Sequence, residues 1–295
     1  MPRPERGANP AAFRAQLLVR LRNEAQARGV SAQRLQQRVA FERFLVQLEA
    51  SGEWVLKGGF ALELRYGWHN RPTKDIDLRV TAPLHEAIVE LRAQIAVTGI
   101  PDHFSFELGV SARELQGAPG GALRVPILAR LDGEKFASFH IDISSGDALV
   151  ATPHMIEGSD LMDFAGVRLL RFPIYPVEQH LAEKLHAYTL PRDDANTRVK
   201  DFVDLLTIAS LEAVSGDLLA ASVRATFDIR KTHDLPAHLP EPPDAWIGPF
   251  AKLTTEFPQA TITNLADACS ATIRIAGALH HGRSYFQGDV ASRIM

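Results

Sequence analysis

The chain has 295 residues, 46% of them apolar and 23% charged. That is enough for one large or two medium domains with a sizeable core, and it excludes wholesale disorder or coiled coil. A net charge of −3 gives no global electrostatic case for nucleic acid, so any such case must come from a local site. The single cysteine, Cys269, excludes an intrachain disulfide and a cysteine-based zinc site. No apolar run is long enough for a transmembrane helix, and the basic N-terminal stretch lacks a signal-peptide core. A cytoplasmic protein without a membrane partner is expected.

In chain order, residues 11–29 read as an amphipathic helix with Gly29 as its stop. Ser31 is the N-cap of a second helix, which carries Leu35, Val39, Phe41, Phe44, Leu45 and Leu48 and runs toward Gly52. A short apolar strand, WVLK, then enters a Gly-Gly turn and one or two helical turns. DIDLRV (75–80) alternates strictly and reads as a strand. Residues 82–97 read as a helix. Strands follow at 103–109, 123–130 and 136–143, the last two joined at an Asp132-Gly133 hairpin turn, and another at 167–175. Helices are expected at 177–189, 199–212 and 216–229, a Pro-rich loop at 233–249, and a last helix at 262–280.

The expected fold is α/β (α+β): a mixed sheet with flanking helices plus a C-terminal helical domain. Its parts would be N-terminal helices at 1–50 packing on the core, an α/β domain at 51–175, and a helical domain at 176–295 completing the active site.

The chemistry concentrates in residues 54–80, WVLKGGFALELRYGWHNRPTKDIDLRV. Glycines between a strand and a helix let backbone approach a phosphate, and the helix start offers free N–H groups. Asp75 and Asp77, two apart on a strand, project from one face. Two adjacent carboxylates repel unless a cation lies between them. A pair of this kind after a phosphate-type turn suits Mg²⁺, which takes one or two carboxylates plus substrate phosphates. Asp142 lies on a later alternating strand, on the face opposite Phe139, Ile141 and Ile143. It is either a third metal carboxylate or a strand-edge aspartate. Arg71 and Thr73 could contact phosphate or brace their own loop. His280-His281 has no partner spacing that supports a metal.

KGGFAL followed by RPTKDID resembles the signature of the DNA polymerase β-like nucleotidyltransferase superfamily, and more closely that of the AbiEii/MenT nucleotidyltransferase toxins. EQHLAEKLHAY (178–188) and RVKDFVDL (198–205) look like that family's later motifs, so the resemblance spans about 50–210. It implies that Gly58 and Gly59 hold a nucleoside triphosphate, with Lys57 helping and Arg71 and Thr73 beside it. It implies that Asp75 and Asp77 bind Mg²⁺ or Mn²⁺, and that Lys184 contacts the phosphates. Asp201 would complete the catalytic set, with Asp204 and Asp142 as alternatives. On residues alone, Lys184 is a helix lysine beside the stripe Leu181, Leu185, Tyr188, and Asp201 a neighbour of Arg198.

The activity so implied is that of the toxin of a toxin–antitoxin pair: Mg²⁺-dependent addition of nucleotides from NTP to the 3′ end of tRNA, blocking aminoacylation and translation. A cognate antitoxin would be the partner, and a monomer is expected. Arg65, Arg71, Lys74 and Arg79 around the first motif, and Arg192, Arg198 and Lys200 around the later one, suit RNA phosphates. The same metal chemistry would also serve a protein side chain or a small molecule as acceptor. A degenerate, non-catalytic binding module is the third reading.

Overall fold

The computed structural model describes residues 9–49, 52–67, 70–96, 102–110, 112–115, 117–167, 169–191, 198–237 and 239–255. The expected helix at 262–280, Cys269, His280-His281 and Arg192 lie outside them. The chain divides into two compact units. One comprises Met1–Leu56, Lys74–Gly146 and Met155–Ile174; the other comprises Lys57–Thr73, Asp147–His154 and Tyr175–Met295.

The first unit holds an eight-stranded mixed sheet, which adds two strands to the six expected. Its strands are β1 (Val55–Lys57), β2 (Asp75–Val80), β3 (Phe104–Leu108), β4 (Arg113–Leu115), β5 (Ala122–Leu131), β6 (Glu134–Ser145), β7 (His154–Glu157) and β8 (Arg171–Ile174). Their order is β3-β5-β6-β2-β1-β8-β7, with β4 on β5. β2 and β6 run parallel, as do β1 and β8, while β3, β4 and β6 pair antiparallel with β5. Ile76, Leu78, Ile141 and Ile143 are fully buried on one face of the β2–β6 pair. Each such side chain contributes about 1.5–3 kcal/mol. Helices α1 (Pro10–Arg28), α2 (Ala32–Leu48) and α4 (Leu84–Ile95) belong to this unit. Gly29 closes α1 in the left-handed region at φ 66°, and the Ser31 side chain accepts the Arg34 N–H, so both helix signals hold. Phe41 and Phe44 of α2 pack edge-on against Phe139 of β6.

The hairpin turn also forms as expected, with Asp132 at φ 56° and Gly133 at φ 73°. Beyond it the register shifts. Arg130 pairs with Lys135 but Ala129 with Ala137, which leaves Phe136 as an extra residue on β6. The strand expected at 167–175 is only four residues long, and β4 and β7 went unforeseen because three- or four-residue strands carry no periodicity.

The second unit is largely helical. It holds α3 (Gly58–Tyr66), α5 (Val177–Thr189), α6 (Val199–Leu211), α7 (Gly216–Arg230) and α8 (Ile247–Thr255). Leu181, Leu185 and Tyr188 form the expected buried stripe and join Phe202, Leu206, Val223, Trp246 and Phe250 in one core. The Pro-rich loop is shorter than expected. A 3₁₀ turn begins at Asp244 and α8 at Ile247, because Pro249 falls in a first helical turn, where no backbone N–H is needed. Among the described residues, no helix is long and apolar enough to cross a membrane.

Candidate active site

On the sheet, β2 presents Asp75 and Asp77 half-buried on the face opposite Ile76 and Leu78. Parallel pairing sets Asp77 beside Asp142 of β6, so the three carboxylates share that face. Arg124 of β5, directly across from Asp142, grips it with two bonds: Nε to Oδ1 at 2.8 Å and Nη2 to Oδ2 at 2.7 Å. Nη2 also donates to Asp75 Oδ2 at 3.2 Å. The bond to Asp142 raises the Arg124 pKa further above its ordinary value, against the lowering effect of desolvation. Among the described residues, no group of three or more His, Cys, Asp or Glu side chains is gathered to hold a metal ion. Asp75 and Asp77 are nonetheless the donor set that a Mg²⁺ ion completed by substrate phosphates takes: two oxygen-bearing anions on one strand face.

In the other unit the two glycines have separate reasons. Gly58 opens α3 at φ 64°, a conformation that side chains rarely adopt. At Gly59 a Cβ would lie 2.9 Å from Thr73 Oγ1 and 3.0 Å from Thr73 Cβ. The loop before the D-x-D motif is thus seated on the glycine turn, and Asn70 Nδ2 donates to Gly59 O at 3.2 Å. Lys57, just before the turn, is tied to Asp147 at 2.6 Å and Glu183 at 3.2 Å, and Arg230 binds the same two acids at 2.8 and 3.4 Å. Burial would lower the Lys57 pKa, but Glu183 and Asp147 outweigh it and raise it.

Arg71, Lys184, Asp201 and Asp204 form a second cluster. Asp204, with 0% exposure, accepts Arg71 Nε and Nη2, both at 2.8 Å. Lys184 lies 2.8 Å from Asp204 and 2.7 Å from Asp201, and Arg198 lies 3.4 Å from Asp201. Burial would raise the Asp204 carboxyl, yet Arg71 and Lys184 hold it below its ordinary range. Burial would likewise lower the Lys184 ammonium, and Asp201 and Asp204 raise it instead. Four residues from three distant segments therefore meet as alternating charges. Asp201 and Asp204 both touch Lys184, and only Asp204 also holds Arg71.

The expected residues thus lie in both units: Asp75, Asp77 and Asp142 on the sheet, and Lys57, Gly58, Gly59, Arg71, Thr73, Lys184, Asp201 and Asp204 in the helical unit, where Lys57 belongs to a separate ion cluster. Sequence reasoning missed Arg124, Asp147, Glu183 and Arg230. Arg124 had a signal, a charged residue at an outward position of an alternating strand. Its partner was hidden by the bulge: the unbroken register of the turn would set it opposite Ile141, on the core face. Asp147 and Arg230 have no local signal at all.

The model of the nucleotidyl transferase AbiEii toxin family of type IV toxin–antitoxin systems matches residues 40–269. The fold is similar to that of MenT4, a nucleotidyltransferase toxin from Mycobacterium tuberculosis H37Rv, with a TM-score of 0.60 and 18% identity over 93% of this chain and 92% of that one. None of the curated proteins matches the chain. The match to the family model covers the glycine turn, the D-x-D strand and both ion clusters of the helical unit, and the chain belongs to the nucleotidyl transferase AbiEii toxin family.

Proposed function

We propose that the chain transfers a nucleotidyl group from an NTP to the 3′ end of tRNA, as the toxin of a type IV toxin–antitoxin pair. The observation that carries this reading is the pair Asp75 and Asp77 on one face of β2, two residues after a loop seated on the Gly58-Gly59 turn. The acceptor hydroxyl oxygen would bond to the α-phosphorus, the bond from that phosphorus to the α,β-bridging oxygen would break, and pyrophosphate would leave. The hydroxyl proton would pass to water. A divalent ion, Mg²⁺ or Mn²⁺, held by Asp75 and Asp77 would neutralise phosphate charge and acidify the hydroxyl.

The remaining roles belong to the chain itself. Gly58 and Gly59 open α3, whose first turn supplies free N–H groups for a triphosphate. Lys184 is the phosphate-binding cation, a point charge on a flexible stem. Asp201 positions it, and Asp204 holds Lys184 and Arg71 together. Thr73 and Arg71 support the nucleotide through the loop they brace, and Lys57 supports the start of α3. Lys74 and Arg79, on or beside the same strand, suit RNA phosphates. The toxin would act in the cytoplasm, as a monomer, under control of a cognate antitoxin.

The test incubates the chain with Mg²⁺, each labelled NTP in turn and total tRNA, on a denaturing gel beside Asp75→Ala. Labelled tRNA with the wild type alone is the expected result. Label on lysate protein or a small molecule, with tRNA blank, would replace the acceptor. No label on any acceptor would overturn the enzyme reading.

A further inference from the structure

The sheet face that carries Asp75 and Asp77 holds a third carboxylate, Asp142, and that carboxylate is already matched. Arg124 takes both of its oxygens, at 2.8 and 2.7 Å, in the fork geometry that makes Arg–carboxylate pairs strong and directional. The same guanidinium reaches Asp75 at 3.2 Å. Arg124 is not a passing surface arginine. It stands in register across from Asp142, which stands in register beside Asp77, so three adjacent strands fix the row. A guanidinium keeps its proton throughout the pH range in which proteins stay folded, so titration does not release Asp142.

Arg124 bonds two of the three aspartates, Asp142 and Asp75, and Asp77 stands in register beside Asp142. A second ion on Asp142 would have to lie against the guanidinium, and two cations at that range repel.

Resting on the nucleotidyl-transfer reading, we propose that Arg124 stands in the place of a second metal ion. The site takes one divalent ion, on Asp75 and Asp77, and Arg124 withholds Asp142 from metal coordination. Asp142 is then a positioning residue that holds Arg124 beside the metal carboxylates, and Arg124 is a fixed cation for the reaction. A fixed cation neutralises charge without a cost of metal recruitment and keeps its place between turnovers.

The test is a count, independent of turnover. The full chain is mixed with Mn²⁺ and each non-hydrolysable α,β-methylene nucleoside triphosphate in turn, and native mass spectrometry counts the manganese ions in the chain–nucleotide complex. One ion is expected in the wild type and two in Arg124→Met, where Asp142 is released. Asp142→Asn, which leaves Arg124 in place, should still carry one. Asp75→Ala should lose it.

Two ions in the wild type, lost in Asp75→Ala, would overturn this inference and leave nucleotidyl transfer standing. So would a single ion in Arg124→Met, or an ion lost in Asp142→Asn. A chain that binds no manganese above the Asp75→Ala level with any nucleotide would overturn both. Should Arg124→Met fail to fold, the wild-type and Asp142→Asn counts decide alone.

Discussion

The ion clusters of the two units are built from the same residue types and differ in burial and balance. In the helical unit, Arg71, Lys184 and Arg198 face Asp201 and Asp204, and Lys57 and Arg230 face Asp147 and Glu183, so the cations match or outnumber the anions each time. Asp204 and Asp147 are almost wholly buried, at 0% and 1% side-chain exposure. On the sheet, Arg124 meets Asp75 and Asp142 with Asp77 alongside, and side-chain exposure rises to 33% at Asp75. A buried cluster must close its own charge balance, because no solvent is there to do it. On the sheet, three aspartates share a half-exposed face with Arg124, where a cation from outside can reach them. Charge balance thus lets a buried cluster hold itself together, and exposed neighbouring carboxylates can take a cation.

The largest expected effect separates these two roles. Asp77→Ala should lower nucleotidyl transfer by about 10³-fold or more, the scale for removing a preorganised electrostatic group. It should change stability by no more than about 1 kcal/mol, the scale of a half-exposed charged contact. Asp204→Ala should do the reverse in kind. It strands Arg71 and Lys184 without their shared anion, and breaking a buried pair costs about 3–5 kcal/mol of stability. Urea unfolding of both variants checks the contrast. A destabilised Asp77→Ala with a stable Asp204→Ala would break it.

Next in size is Gly59→Ala. The added methyl meets Thr73 Oγ1 at 2.9 Å and Thr73 Cβ at 3.0 Å, so the loop that precedes Asp75 must move. Overpacking of this kind costs about 1–3 kcal/mol. Because the loop leads into β2 at Asp75, transfer activity should fall more than stability. Nucleotide KM, read beside the urea midpoint, checks this, and an alanine variant with unaltered KM would show that the loop does not transmit the shift.

How far the sequence could be read follows from where each signal lay. Local patterns sufficed where each residue is explained by its neighbours. Ser31 and Gly29 bound their helices, Asp132-Gly133 made its hairpin, and the alternation of DIDLRV put Ile76 and Leu78 in the core with Asp75 and Asp77 outward. The sheet's strand order was not legible, because a parallel neighbour such as β6 beside β2 leaves no mark in either strand. Nor was the partner of Asp142, because one extra residue, Phe136, changes which side of β6 Arg124 meets. The braces were hidden for another reason. Asp147, Glu183 and Arg230 are ordinary surface residue types, and only tertiary distance brings the two acids to Lys57 and Arg230 to the acids. The family motifs drew attention to Lys184, Asp201 and Asp204, but their division of labour depends on Arg71, which comes from a loop more than a hundred residues earlier.

The smallest effect concerns acid, and it should fall on one unit more than the other. His180 and His186 of α5 are buried. Among the described residues, neither ring nitrogen of His180 has a hydrogen-bond partner. Burial, then Lys184, Arg65 and Lys57, hold the His180 pKa well below its ordinary value. Burial, Arg230 and His233 lower His186 to about 4, against the pull of Asp147. Both rings therefore stay neutral in the folded chain as pH falls from 6.5 to 5.5, whereas an unfolded chain protonates them below about 6.5. The unfolded state binds more protons there, so stability falls as pH drops through that window. Each histidine contributes a slope of at most about 1.4 kcal/mol per pH unit, or roughly 1 kcal/mol lost by pH 5.5. In the sheet unit, burial raises the Asp102 carboxyl, against Arg43, so folding there gains rather than loses protons on acidification. Hydrogen exchange at pH 7 and 5.5 should show protection falling further in α5–α7 than in β5–β6. His180→Phe, which keeps an aromatic ring and removes the proton site, should flatten the fall in α5–α7. An equal decline in both units, untouched by His180→Phe, would mean that acid acts through groups other than these histidines.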